Sequence, residues 1–188
     1  MEITQTWANV DIMLIDQVLK NNLDENSVIC DAGCGSGRNI EPFLEKRSEV
    51  WGFDPSINAI HNLKNMAQTY GVNDKNFYVQ SIENNTLPEA YFDFVICNAV
   101  LHFCSDSDHF SECLNKLWAL VKPRGILFCR FATDISWPEF APKNSFTFLA
   151  DRDLVMNCCK EMNAQMVDPL KTTLVDQSRT MSTLVLKK

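Results

Sequence analysis

No two cysteines in this chain are spaced C-x-x-C, although eight are present among its 188 residues. Neither the usual zinc-ribbon spacing nor a thioredoxin-like redox pair can therefore be read from it. Cys30, Cys34, Cys97, Cys104, Cys113, Cys129, Cys158 and Cys159 read instead mostly as small buried hydrophobes. Cys30, Cys97 and Cys129 fall in expected strands, where side chains pack rather than converge on an ion, and no metal is expected. Basic residues are also short: 17 Lys and Arg against 24 Asp and Glu leave a net charge of -7. Binding that depends on gripping nucleic-acid phosphates needs clustered Lys and Arg, so a nucleic-acid partner is disfavoured. No run is apolar enough to act as a leader or a membrane span. The best early candidate, Val10 to Leu19, carries Asp11 and Asp16 and has no basic flank, so the expectation is no membrane partner and a cytoplasmic location.

What is present suits one globular domain over residues 1–188, with 46% hydrophobic and 22% charged residues and no internal period. Val28 to Ala32, Phe92 to Cys97 and Ile126 to Phe131 are short, mostly non-alternating apolar runs, as expected of strands buried on both faces. Val50 to Phe53 and Phe77 to Gln80 add two shorter strands. Helical spacing marks Arg38 to Arg47, Ser56 to Thr69 and Asp108 to Val121, and Gly71 and Gly125 sit where helices should stop. After Phe131 come an irregular segment, a helix near Asp151 to Glu161 and two closing strands. The last of these, Thr180 to Leu186, is expected to run antiparallel at or near an edge. The alternation predicts an α/β, doubly wound, mostly parallel sheet with helices on both faces.

Only six glycines occur in the chain, and three of them stand at 33, 35 and 37 in VICDAGCGSGRN, between a buried strand and a helix. Glycine there lets the backbone approach a ligand in turn conformations closed to other residues. The dinucleotide fingerprint G-x-G-x-x-G needs a third glycine where Arg38 stands, which weakens a nicotinamide-dependent oxidoreductase as the alternative function.

An acid two residues before G-x-G-x-G, here Asp31, resembles motif I of the class I S-adenosylmethionine-dependent methyltransferases, and the resemblance spans most of the chain. It implies a Rossmann-like fold of seven strands and a methyl group passed from S-adenosylmethionine to a small-molecule acceptor by in-line displacement, leaving S-adenosylhomocysteine. The loop of Asp31, Gly33, Cys34, Gly35, Gly37 and Arg38 would then wrap the methionine portion of the cofactor. Asp54, followed by Pro55, matches the family's ribose-binding acid, and a cap on the helix that Pro55 opens is a rival role that does not exclude it. Ser81, Ile82 and Glu83 would meet the adenine, with Ser81 standing where the family often has an acid. FDFVICNAVLHF, residues 92 to 103, resembles motif IV and would set Asn98 and Ala99 near the transferred methyl. The chain lacks the N-P-P-Y-type tetrapeptide of members that methylate nucleic-acid or glutamine amino groups. A small, compact subgroup resembling the tellurite-resistance methyltransferase is the nearest that can be suggested.

On the acceptor side the candidates are His102, Phe103, Arg130 and Trp137. His102 is a possible general base or a packed histidine; Arg130 and Trp137 are possible acceptor contacts or loop supports. Residues 1–24, with Trp7, read as an N-terminal helical cap, and residues 132–148 as a substrate-side insertion. A non-catalytic S-adenosylmethionine-binding regulator would share every cofactor residue. Nothing in the sequence sets the oligomeric state.

Overall fold

The computed structural model describes residues 5–135, 148–175 and 179–188; Trp137 and most of the 132–148 segment lie outside these. A 3-10 turn at Gln5–Asn9 leads into α1 (Ile12–Leu19), capped by Asp11, whose carboxylate accepts from the Met13 amide at 2.9 Å. There follow β1 (Ile29–Ala32), α2 (Glu41–Glu45), β2 (Val50–Asp54), α3 (Ile57–Thr69), β3 (Phe77–Val79), β4 (Phe92–Asn98), α4 (Ser107–Leu120), β5 (Val121–Ala132), α5 (Arg152–Glu161), β6 (Gln165–Met166), β7 (Lys171–Val175) and β8 (Arg179–Lys187). The sheet runs β3-β2-β1-β4-β5-β8-β6, with β7 also paired to β8. The pairs among β1 to β5 are parallel, and β8 is antiparallel to β5, β6 and β7.

Burial explains the architecture. Alternate side chains of the central strands feed two cores. Ile29, Phe94, Ile96 and Phe128 pack with Leu14 of α1, Phe43 of α2 and Leu63 of α3. On the other face Cys30, Val95, Cys97 and Cys129 pack with Phe110 and Leu114 of α4 and Val155 of α5. Each such large side chain contributes about 1.5–3 kcal/mol on leaving water. All eight cysteines are free and buried. The doubly wound, mostly parallel sheet is as expected.

Two local expectations are corrected. The helix expected over Arg38 to Arg47 is only Glu41–Glu45: Pro42 sits in its first turn, and the chain leaves it through Arg47 at φ 59°. Gly125 does not follow a helix end, because α4 stops at Leu120 and Gly125 lies inside β5. A Cβ there would come within 2.9 Å of the Phe92 and Lys122 carbonyl oxygens, so close backbone approach is what requires glycine. The described residues form eight strands, one beyond the seven expected, because the two-residue β6 and the five-residue β7 divide the outer side of β8 between them. β8 is antiparallel and lies one strand in from the edge, as expected of a strand at or near it. Among the described residues, no helix is long and apolar enough to cross a membrane.

Candidate functional site

Strand order reverses between β1 and β4, and open α/β sheets bind ligands at the carboxyl ends beside such a point. There a cleft of about 260 Å³ is lined by Gly33, Pro55, Ile82, Glu83, Phe103 and Cys113, among others.

The loop after β1 holds its shape through β2. The amides of Gly33 and Cys34 both donate to the Phe53 carbonyl, at 2.8 and 3.1 Å. Gly33, Gly35 and Gly37 have φ of 72°, 53° and 91°, a region costly for residues with a Cβ. A Cβ on Gly33 would fall 2.3 Å from Val100 Cγ2, whereas one on Gly35 would meet nothing within 4 Å. Gly33 is thus held against the turn after β4, and Gly35 borders open space.

Asp31, the last residue but one of β1, is 1% exposed, and its Oδ2 has no hydrogen-bond partner among the described residues. Burial pushes its carboxyl up to about 7; nearby Arg38 opposes this and Asp54 reinforces it. Asp54 accepts from the Gly35 amide at 3.0 Å and from the Ser56 amide at 2.8 Å. The capping role weighed for Asp54 belongs instead to Ser56, whose Oγ accepts from the Ala59 amide at 3.3 Å. Asp54 therefore ties the glycine loop to the end of β2.

Two loop side chains turn away from the cleft. Cys34 packs against Gly52 and Phe77, and burial pushes its thiol up. Arg38 is exposed and donates to the Asn9 carbonyl at 3.0 Å, tying the loop to the N-terminal segment. Trp7 also serves packing, edge-on to Phe43 at 5.6 Å.

Ser81, Ile82 and Glu83 form one wall of the cleft. A hydrogen bond from Ser81 is the main influence holding the Glu83 carboxyl below its ordinary range, and His109 adds to it. His109 Nε2 lies 2.7 Å from Glu83 Oε1, while its Nδ1 accepts from the Ser105 amide at 3.1 Å. That pairing raises the His109 pKa.

Asn98 ends β4 buried, and neither of its amide atoms has a hydrogen-bond partner among the described residues. The next residue, Ala99, adopts φ 63° and donates its amide to the Arg130 carbonyl at 2.7 Å. Such a left-handed residue costs of order 1–3 kcal/mol and occurs at functional sites more often than elsewhere. Arg130, paired with Asn98 across β4 and β5, forms a buried ion pair with Asp11 and reaches Thr173 Oγ1 at 3.5 Å. It fastens the start of α1 over the end of β5.

His102 lies in a 3-10 turn, Leu101–Phe103, buried at 3% exposure. Its Nδ1 accepts from the Ala132 amide at 3.2 Å. Burial first, then Arg179, lowers its pKa to about 4. The neighbouring Phe103 is 62% exposed at the cleft mouth.

Sequence reasoning missed Val100, which packs on Gly33, and the group of Cys104, His109 and Cys113. Cys104 and Cys113 share a hydrogen bond that lowers the Cys104 thiol and raises that of Cys113. The i, i+4 spacing of His109 and Cys113 within an expected helix was the available signal.

A family model described as a methyltransferase domain matches residues 30–129, which hold the glycine loop, Asp54, the cleft wall and the end of β4. A ubiquinone biosynthesis O-methyltransferase of Rhodopseudomonas palustris (strain TIE-1) is 32% identical over 113 residues, 59% of this chain and 42% of that protein. A tRNA 5-carboxymethoxyuridine methyltransferase of Escherichia coli (strain K12) is 26% identical over 119 residues, 62% of this chain and 44% of that protein. The chain thus spans less than half the length of these relatives. TehB from Haemophilus influenzae shares the fold, with a TM-score of 0.78 at 16% identity over 96% of this chain and 63% of that one. With more than half its length covered by that family model, the chain belongs to the methyltransferase domain family.

Proposed function

We propose that this chain transfers a methyl group from S-adenosylmethionine to a small-molecule acceptor. The observation that carries the reading is the buried, unpartnered Asp31 oxygen beside a glycine loop that borders open space. A buried carboxylate without a partner is costly, and an ammonium group is the kind of ligand that offsets that cost. The residues present fit the amino-acid tail of this donor. Asp31 would take the ammonium, and the Gly33 to Gly35 backbone would lie along the tail. Asp54 would meet the ribose hydroxyls, and Ile82 with Pro55 would flank the adenine. Glu83, kept ionised by Ser81, is a stronger acceptor for the adenine amino group than Ser81 itself.

The donor supplies a methyl group on a positively charged sulfur. The protein's part is to align acceptor atom, carbon and sulfur and to exclude water, and such alignment supplies about 7–11 kcal/mol in favourable cases. Asn98 and Ala99 would form the floor of the transfer position, with Phe103 on the acceptor side, while Arg130, held by Asp11, serves as a support rather than as an acceptor contact. The net charge of -7 favours a small acceptor over nucleic acid. The family match gives the nicotinamide reading no support. A screen of thiols, amines, hydroxylated aromatics and metalloid oxyanions, read out by formation of S-adenosylhomocysteine, tests the activity and finds the acceptor; no product with any acceptor favours the regulator instead.

Two variants probe the parts. Asp54→Asn keeps one acceptor oxygen but loses the charge, and calorimetry should show cofactor affinity lowered by roughly tenfold, the equivalent of about 1.4 kcal/mol. His102 suits a positioning role, because a neutral imidazole whose Nδ1 accepts from Ala132 carries its proton on Nε2. His102→Ala should lower stability by about 1–2 kcal/mol in a denaturation curve yet retain turnover on thiol acceptors. Complete loss of that turnover with cofactor binding intact would assign His102 as the base.

A further inference from the structure

We propose that Cys104, His109 and Cys113 form a binding site for a soft divalent cation of the zinc class on the wall of the cleft, with Glu83 as the carboxylate beside the imidazole. The inference rests on this cluster alone and is independent of the methyl-transfer reading. One donor atom from each residue lies within 4.8 Å of the others. A tetrahedral zinc ion with sulfur at about 2.3 Å and nitrogen at about 2.0–2.1 Å needs its donors roughly 3.5–3.8 Å apart. The donors therefore have to draw together by at most about an ångström as the ion binds.

Local structure puts the three together. Asp106 starts α4 by accepting from the His109 amide at 2.9 Å. With the helix phase so fixed, His109 and Cys113 lie one turn apart on the same face, and Cys104 stands in the turn just before. Two sulfurs and one imidazole form a donor set suited to zinc rather than to magnesium or calcium. Glu83 Oε1, 2.7 Å from His109 Nε2, provides the carboxylate partner that commonly orients a metal-bound imidazole, and the ion takes Nδ1 in place of the Ser105 amide that this atom now accepts from at 3.1 Å. The fourth position faces the cleft, because Cys104, His109 and Cys113 all line it. As the ion binds, each cysteine gives up its thiol proton to solvent. The ion then links the turn after β4 to α4.

The test is a titration of the reduced, chelator-treated chain with cobalt(II), whose thiolate complexes show charge-transfer and ligand-field absorption, followed by displacement with zinc. One cobalt per chain with a thiolate band is expected, the band being lost in Cys104→Ser and in Cys113→Ser but kept in Cys158→Ser. Alkylation of the wild-type chain with and without zinc needs no variant and covers the case of a variant that fails to fold. Zinc should protect Cys104 and Cys113, located by peptide mass spectrometry. No thiolate band at one equivalent, a band that survives both serine substitutions, or protection confined to other cysteines would overturn the proposal.

Discussion

Asp31→Asn is expected to weaken S-adenosylhomocysteine binding by roughly 10- to 100-fold at pH 7.5, the loss of one charge-assisted hydrogen bond of about 1.5–3 kcal/mol. The same substitution should raise the thermal midpoint of the ligand-free protein. Both effects have one cause. The carboxylate is buried at 1% exposure with an oxygen that has no partner among the described residues, so its charge is costly in the fold and becomes useful once an ammonium group faces it. The sign with pH follows. Burial raises the folded pKa from an ordinary 3.8 to about 7, so the folded chain holds the proton more tightly than the unfolded one. Below the unfolded value there is no penalty. It grows as pH rises and is complete above about 7, where it corresponds to about 4 kcal/mol at most. Stabilisation by Asp31→Asn should therefore be larger at pH 8 than at pH 5. Wild-type affinity for the ligand should rise by more than about tenfold between pH 5.5 and 7.5 as Asp31 ionises, and the variant should be flat over that interval. Equal pH dependence in the two proteins would remove Asp31 from the site.

Gly33→Ala should cost about 2–5 kcal/mol of stability and abolish measurable cofactor binding. Two penalties combine: a left-handed backbone at φ 72°, about 1–2 kcal/mol for a residue with a Cβ, and a Cβ 2.3 Å from Val100 Cγ2, about 1–3 kcal/mol of overpacking. They can be separated, because Val100→Ala removes the clash and leaves the backbone strain. Urea denaturation of the double variant Gly33→Ala/Val100→Ala should recover the overpacking part only. Full recovery would mean that the backbone there is less constrained than its dihedral implies; no recovery would mean that Val100 is not the obstacle.

The central sheet was legible because strand segments buried on both faces are largely apolar, as in β1, β4 and the Ile126 to Phe131 part of β5, whereas the start of β5 at Val121 to Arg124, exposed at its last two residues, carried no such signal. The glycine loop was legible for a steric reason, since three of six glycines alternate at one strand end. Asp31 and Asp54 stood out beside it. Less could be read where a residue type suits two jobs. Pro42 opened a helix but also left it one short turn, and Gly125 resembled a helix stop while serving a close carbonyl contact within β5. Arg38 and Cys34 belong to the loop by sequence, yet their side chains turn to Asn9 and to β2. The group of Cys104, His109 and Cys113 was hidden because its spacing spans a turn and a helix rather than a C-x-x-C knuckle. The pairing of Glu83 with His109 joins residues 26 apart, and no local pattern signals it.

Calorimetric titration of the purified chain with S-adenosylhomocysteine, with NAD as the parallel control, tests the central claim most directly. One site per chain for the nucleoside thioether and no heat with NAD is the predicted result. Silence with S-adenosylhomocysteine from a folded sample, or saturable heat with NAD instead, would contradict it.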